Sequence, residues 1–142
     1  MAYHSALETA LLDMEIQAKL YGAGSTNGAG VDMQGWDGVA FIASIGAIED
    51  GGTYDLRVVQ DSLANFASVT NVTNAAITQV PNTTPNVIVV IDVFRPAERY
   101  VRVNSTVATN NVTVSVTSVR YRGQSRLPKA SPADQYVLVA DS

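Results

Sequence analysis

The 142-residue chain contains no cysteine, one histidine, one tryptophan and few charges. Without cysteine there can be no disulfide, no zinc–thiolate site and no cysteine nucleophile, and the redox compartment is left open. The one histidine, His4, lies in a stretch that reads as an N-terminal arm. A serine triad or a multi-histidine metal centre needs a base held in a pocket, so neither can be assembled here. The chain therefore reads as non-enzymatic, with no cofactor and no metal. Its longest apolar run, residues 87–91, falls far short of the roughly 20 residues of a membrane span, which sets membrane partners aside. Residues 1–12 lack the basic start and unbroken apolar core of a signal peptide, because His4 and Glu8 interrupt them. The glycine-rich stretch GAGSTNGAG (22–30) is followed by neither GKS nor GKT, so it is a flexible connection and not a phosphate loop.

What the chain does contain is apolar and unevenly charged. Hydrophobic residues make up 46% and charged residues only 15%, a balance that suits a globular domain with part of its surface covered by a partner. Nine acidic residues lie between Met1 and Asp61 against Lys19 and Arg57, whereas residues 95–129 carry seven basic residues against Glu98 alone. Such asymmetry suits contacts between copies or with an acidic partner. It is equally consistent with folding that brings the two halves together and neutralises them internally.

The periodicity predicts β-structure throughout. Leu12, Met14, Ile16, Ala18 and Leu20 alternate with polar residues, the mark of a strand with one face on a core. Just before it, Ser5 to Glu8 resembles a capping box and allows one helical turn up to Leu11. VAFIASIGA (39–47) and residues 87–94 are apolar on both faces and read as interior strands. The turn EDGG (49–52) would join the first of these to Tyr54, Leu56 and Val58 as an antiparallel hairpin. Further strands are expected at 64–69, 75–80, 99–107, 112–122 and 136–140. A change of phase after Val116 suggests a bulge near Thr117 and Ser118 or a strand that passes between sheets. With 20 valines and no crossover helices, the expectation is all-β. It is a single antiparallel two-sheet sandwich or jelly roll over residues 1–142, with an N-terminal arm (1–11) and a C-terminal arm (123–142).

Candidate chemistry concentrates in RPAERYVRV (95–103) and its surroundings. Phe94, Tyr100 and Tyr121 interleave with Arg95, Arg99, Arg102, Arg120 and Arg122, a pattern that single-strand nucleic-acid binders use. The net charge of −4 and pI near 4.7 argue against that partner and for protein contacts. Glu49–Asp50 and Asp32–Asp37 match no calcium loop of fixed geometry; the first pair reads as turn acids and the second as loop or strand-edge acids. The Asn-x-Ser/Thr matches at Asn71, Asn82, Asn104 and Asn111 are chance products of an Asn- and Thr-rich β chain. Alternation sends Arg99, Val101 and Val103 to one face and Tyr100, Arg102 and Asn104 to the other. On that pattern Arg99 pairs with a carboxylate at the sheet edge, and Arg102 with Tyr100 is the better partner contact.

Three segments in order carry a resemblance: residues 28–62 with VDMQGWDG, then RPAERYVRV, then VTVSVTSVRYRGQSRLP (112–128). Together they resemble small head proteins of tailed bacteriophages, in which a Val-Asp-x-x-Gly-aromatic segment precedes an apolar strand and a basic strand follows later. Val31, Asp32, Gly35 and Trp36 match the first pattern, and Arg99, Tyr100, Val101 and Arg102 the second, with a departure at Ala97–Glu98. The resemblance implies a capsid cement or decoration protein with a jelly-roll-like fold on the outer surface of the capsid. Its implied partners are the major capsid protein and its own copies, as a dimer before a trimer. The candidate interface residues are Trp36, Arg95, Arg99, Tyr100, Arg102, Arg120 and Arg122, with Trp36 open to either a core or a contact role. The alternatives are a head-completion or tail component, or a carbohydrate-binding sandwich marked by exposed aromatics such as Trp36 and Tyr54.

Overall fold

A computed structural model describes residues 10–122 and 135–140. Its strands are β1 (Ala10–Tyr21), β2 (Gly24–Asn27), β3 (Val31–Asp32), β4 (Gly38–Ile48), β5 (Thr53–Asp61) and β6 (Thr70–Ala76), followed by β7 (Val80–Pro81), β8 (Val87–Phe94), β9 (Tyr100–Ala108), β10 (Val112–Tyr121) and β11 (Gln135–Ala140). They form a two-sheet sandwich. The first sheet has the order β1-β10-β4-β8-β11, and the second has β2-β9-β5-β6 with β3 on β9 and β7 on β5. Every pairing is antiparallel except β11 with β8, which is parallel. A parallel return needs a connection of about a dozen residues, and residues 122–134 supply that length. β1 begins at Ala10, inside the stretch expected as an arm. His4 and the Ser5–Glu8 capping box lie outside the described residues.

The interior strands are where the apolar runs placed them. Val39, Phe41 and Ala43 of β4 and Val89, Ile91 and Val93 of β8 face Leu56 and Val58 of β5 and Val101 and Val103 of β9, all at most 1% exposed. Each such valine, leucine, isoleucine or phenylalanine side chain taken fully from water contributes about 1.5–3 kcal/mol. β4 and β5 are not a hairpin, however. The Glu49–Gly52 turn, with Gly51 at φ +77°, carries the chain from the first sheet to the second. β8, β9 and β10 likewise alternate between sheets, so each strand is partnered by strands distant in sequence.

Three further expectations are corrected. The strand expected at 64–69 is a loop, because the Asp61 carboxylate accepts the Leu63 and Ser68 N–H groups (3.0 and 2.7 Å) and the Asn65 side chain accepts Ala67 N–H (3.1 Å). Side-chain acceptors of this kind compete with a ladder for the same donors. The bulge expected in β10 lies instead in its partner: the register with β10 slips between Met14 and Ile16, and again between Ile16 and Lys19. These slips also overturn the facing of β1. Ile16 enters the core at 2% exposed, whereas Leu12, Met14 and Leu20 are 54, 62 and 53% exposed. A one-residue slip exchanges the faces of a strand, so alternation located β1 but not the side it buries.

Candidate functional site

The arginines gather around the turn that joins β3 to β4. Asp32 accepts Gln34 N–H (3.0 Å) and Gly35 adopts φ +83°, which closes the turn tightly. Main-chain bonds then knit it to its neighbours: Met33 N–H to Arg99 O (2.8 Å), Asp37 N–H to Tyr121 O (2.9 Å) and Arg95 N–H to Asp37 O (2.8 Å). The same few residues thus tie together the ends of β8 and β10 and the start of β9.

Side chains reinforce this frame. Arg99 grips the Asp32 carboxylate with two bonds, Nε to Oδ1 at 2.9 Å and Nη2 to Oδ2 at 2.8 Å. This fork, with the Gln34 N–H, holds the Asp32 pKa at about 2. Arg120 donates to Asp32 O (2.9 Å) and to the Asp13 carboxylate of β1 (2.6 Å), joining the two sheets at this end. Arg122 donates to Gly35 O (3.0 Å). Both guanidiniums approach the Trp36 ring, Arg122 at 4.3 Å and Arg120 at 5.6 Å from its centroid. Trp36 itself is half-buried and packs against the core, so it belongs partly to the interior and partly to the surface.

Beside the turn is a shallow depression of about 410 Å³ lined by Met33, Trp36, Arg95, Pro96, Glu98 and Arg99. Arg95 is exposed on its rim, at φ +56°, with its guanidinium 5.1 Å from the Phe94 ring. Of the seven sequence candidates, Trp36, Arg95, Arg99, Arg120 and Arg122 therefore share one end of the sandwich. Tyr100 and Arg102 go elsewhere, to the outer face of the second sheet. There Phe66 covers them, edge-on to Tyr100 (centroids 6.5 Å apart) and 4.4 Å from the Arg102 guanidinium, whose Nε is buried without a hydrogen-bond partner. Arg99 pairs with a carboxylate, as the alternation suggested.

The other chemistry weighed from sequence finds little support in this geometry. Tyr121 is 5% exposed and stacked on Phe94, and Tyr100 meets Phe66, so these rings are engaged internally instead of offering a platform for bases. Tyr54 is wholly buried, accepting a hydrogen bond from Ser105 Oγ at 2.9 Å, and burial pushes its pKa up to about 12. A second groove of about 460 Å³ on the outer face of the second sheet is lined by Asp55, Arg57, Asn71, Asn74, Asn104 and Thr106 among others, with no aromatic ring. Glu49 and Asp50 are exposed and held by amides, Glu49 by Asn111 (2.9 Å) and Asp50 by Asn82 (3.4 Å).

Sequence reading missed three residues. Phe66 lay in a stretch expected to be a strand. Glu15 was assigned to solvent, yet it is 6% exposed and accepts Gly30 N–H at 3.0 Å. Asp92 is fully buried and accepts the hydroxyls of Tyr121 (2.6 Å) and Tyr136 (2.7 Å). An acid inside the apolar run VIVVIDVF was the available signal for Asp92.

No family model and no curated protein matches the chain. Among solved structures, a protein of Bacillus endospore appendages, which form disulfide-linked pili, aligns with a TM-score of 0.51 at 14% identity over 80% of this chain and 88% of its own. A protein of infectious bursal disease virus, Gx strain, aligns with a TM-score of 0.51 at 6% identity over 81% of this chain. This chain spans only 33% of that viral protein. At such identities the likeness establishes the fold, a β-sandwich that also occurs in an appendage protein and in a viral particle.

Proposed function

We propose that this chain is a non-enzymatic structural protein of a virion, which cements or decorates the outer surface of the capsid by binding the major capsid protein and its own copies. The observation that carries the reading is the end built on the 32–37 turn. Arginine and tryptophan side chains are held there in a fixed frame around an open depression. Tryptophan and arginine dominate binding energy at protein interfaces, and a rigid frame lowers the entropy lost on docking. Structural neighbours drawn from a virus and a pilus agree with an assembly role. Arg95 and Arg122 are the probes of choice, because both are exposed and neither has a carboxylate partner among the described residues.

The double substitution Arg95→Ala/Arg122→Ala is expected to weaken binding to assembled capsids about tenfold or more while leaving the fold intact. Co-sedimentation with capsids, followed by a heat challenge of the particles, measures both effects. Wild-type protein that neither binds capsids nor raises their disruption temperature sinks the proposal. A subunit of a surface filament is the second reading, favoured by the nearly whole-chain alignment to the appendage protein. With no cysteine in this chain, any such filament would not be disulfide-linked through it.

A further inference from the structure

β1 is an edge strand of the first sheet, paired with β10 on one side and with no strand on the other among the described residues. Natural edge strands are blunted by exposed charge, proline, bulges or a covering loop. The second half of β1 has all but the proline. Its register slips flank Glu15 and again precede Lys19, and Ala29 N–H bonds to Glu15 O (3.0 Å) so that the 28–30 segment lies over the edge. The first half, Ala10 to Met14, has no proline and no register slip, and no covering segment among the described residues. Leu11, Leu12 and Met14 are 41, 54 and 62% exposed, and the register places Leu11 on the inner face and Leu12 and Met14 on the outer. Its one charge, Asp13, is already taken by Arg120 at 2.6 Å.

We infer that residues 10–14 of β1 are a self-pairing edge, occupied by the same segment of a second copy running antiparallel across a two-fold axis. The inference rests on the proposed self-association and names its surface. The pairing places Leu12 opposite Leu12 of the partner subunit and Leu11 opposite Asp13, and joins the two five-stranded sheets into one of ten strands. Electrostatics permits it, since the segment brings no unpaired charge to the axis, so two copies meet without like-charge repulsion. The other apolar edge of the same sheet, β11 with Leu138 38% exposed, would instead pair with β1 to give an open chain of copies. The two-fold arrangement is favoured because it satisfies the unblunted half of β1 with an identical unblunted partner. Five residues a side lie below the roughly 1,200 Å² of a stable interface, so the dimer is weak in solution and gains from the high local concentration on a lattice.

The absence of native cysteine makes the test clean. Leu12→Cys alone should give a disulfide-linked dimer under mild oxidation, because directly opposed cross-strand residues have Cβ atoms about 4.5–5.5 Å apart, within a small adjustment of the roughly 3.5–4.5 Å that a disulfide spans. Leu20→Cys should remain largely monomeric. In sedimentation velocity, Leu12→Lys should weaken the wild-type dimer about tenfold or more, while Leu138→Lys leaves it unchanged; circular dichroism and urea midpoints check that both variants stay folded. The inference is overturned if Leu12→Cys crosslinks no better than Leu20→Cys, if Leu138→Lys is the variant that dissociates the wild-type protein, or if that protein grows into open chains. A wild-type protein that binds capsids yet stays monomeric up to its solubility limit overturns the pairing and leaves the capsid reading standing. Failure of capsid binding with an intact Leu12-dependent dimer does the reverse.

Discussion

Glu15 and Asp32 are carboxylates at the same junction of the two sheets, and their environments drive them in opposite directions. Burial raises the Glu15 pKa above its ordinary value of 4.5, with nearby Asp13 adding to the shift; Gly30 N–H, Ser118 and Arg120 oppose it. A raised carboxylate means that the fold favours the protonated form. Its stabilisation is therefore greatest below the ordinary value and is lost as pH rises through the raised one. Glu15→Gln keeps an oxygen for Gly30 N–H and removes the charge. It is expected to raise the urea midpoint at neutral pH and to flatten its decline between pH 4.5 and neutrality; an unchanged slope in urea titrations across that range would refute the assignment. Asp32 has the opposite sign, because the Arg99 fork stabilises the ionised form. Its contribution is present above the ordinary carboxylate range and fades as pH falls toward about 2.

The strands depend on a few close approaches that no hydrophobic pattern reveals. Gly38 opens β4 opposite Tyr121 of β10, and a Cβ at position 38 would collide with the tyrosine ring. That ring stacks on Phe94 of β8 and donates its hydroxyl to Asp92, so one glycine lets an aromatic side chain bridge three strands. Gly38→Ala is expected to cost about 1–3 kcal/mol, the usual penalty of overpacking, measured by urea denaturation. A loss of under a few tenths of a kcal/mol would show that the ring shifts freely. β1 makes the complementary point. Its alternation was plain in the sequence, but the slip that leaves Leu12 and Met14 outward falls at Glu15, where Gly30 and Ala29 N–H groups bond to it, contacts that exist only in the folded molecule.

The topology makes the whole molecule a web of distant pairings. β1 joins β10, with Ala10 opposite Tyr121, and β2 joins β9, with Gly24 opposite Val107, so the ends of the ladder wait for most of the chain. Loop closure over such separations precedes the contacts that reward it, and folding is expected in the millisecond-to-second range, slower than for helical domains of equal size. Stopped-flow refolding monitored by Trp36 fluorescence checks this, and a microsecond phase carrying the full amplitude would contradict it. The sequence asymmetry of charge also resolves at this level. Arg99 with Asp32 and Arg120 with Asp13 join the acidic first half of the chain to the basic later half, so part of the asymmetry is consumed internally at one end of the sandwich. Arg95 and Arg122 remain exposed at this end without carboxylate partners among the described residues, whereas Arg102, also without one, lies under Phe66 on the outer face of the second sheet.

The sequence by itself determined the all-β class, the two interior strands and the turn at 49–52. Each of these follows from local patterning: period-two alternation, continuous valine and isoleucine runs, and turn residues whose backbone preferences are intrinsic. Only the tertiary structure decided that β4 and β5 belong to different sheets, that Arg102 lies under Phe66 while Arg122 stands beside Trp36, and that β1 turns its leucines outward. Those outcomes depend on register and on which distant strand becomes a neighbour. A single residue of slip exchanges the two faces of a strand, and the slip is set by contacts with segments far away in the chain.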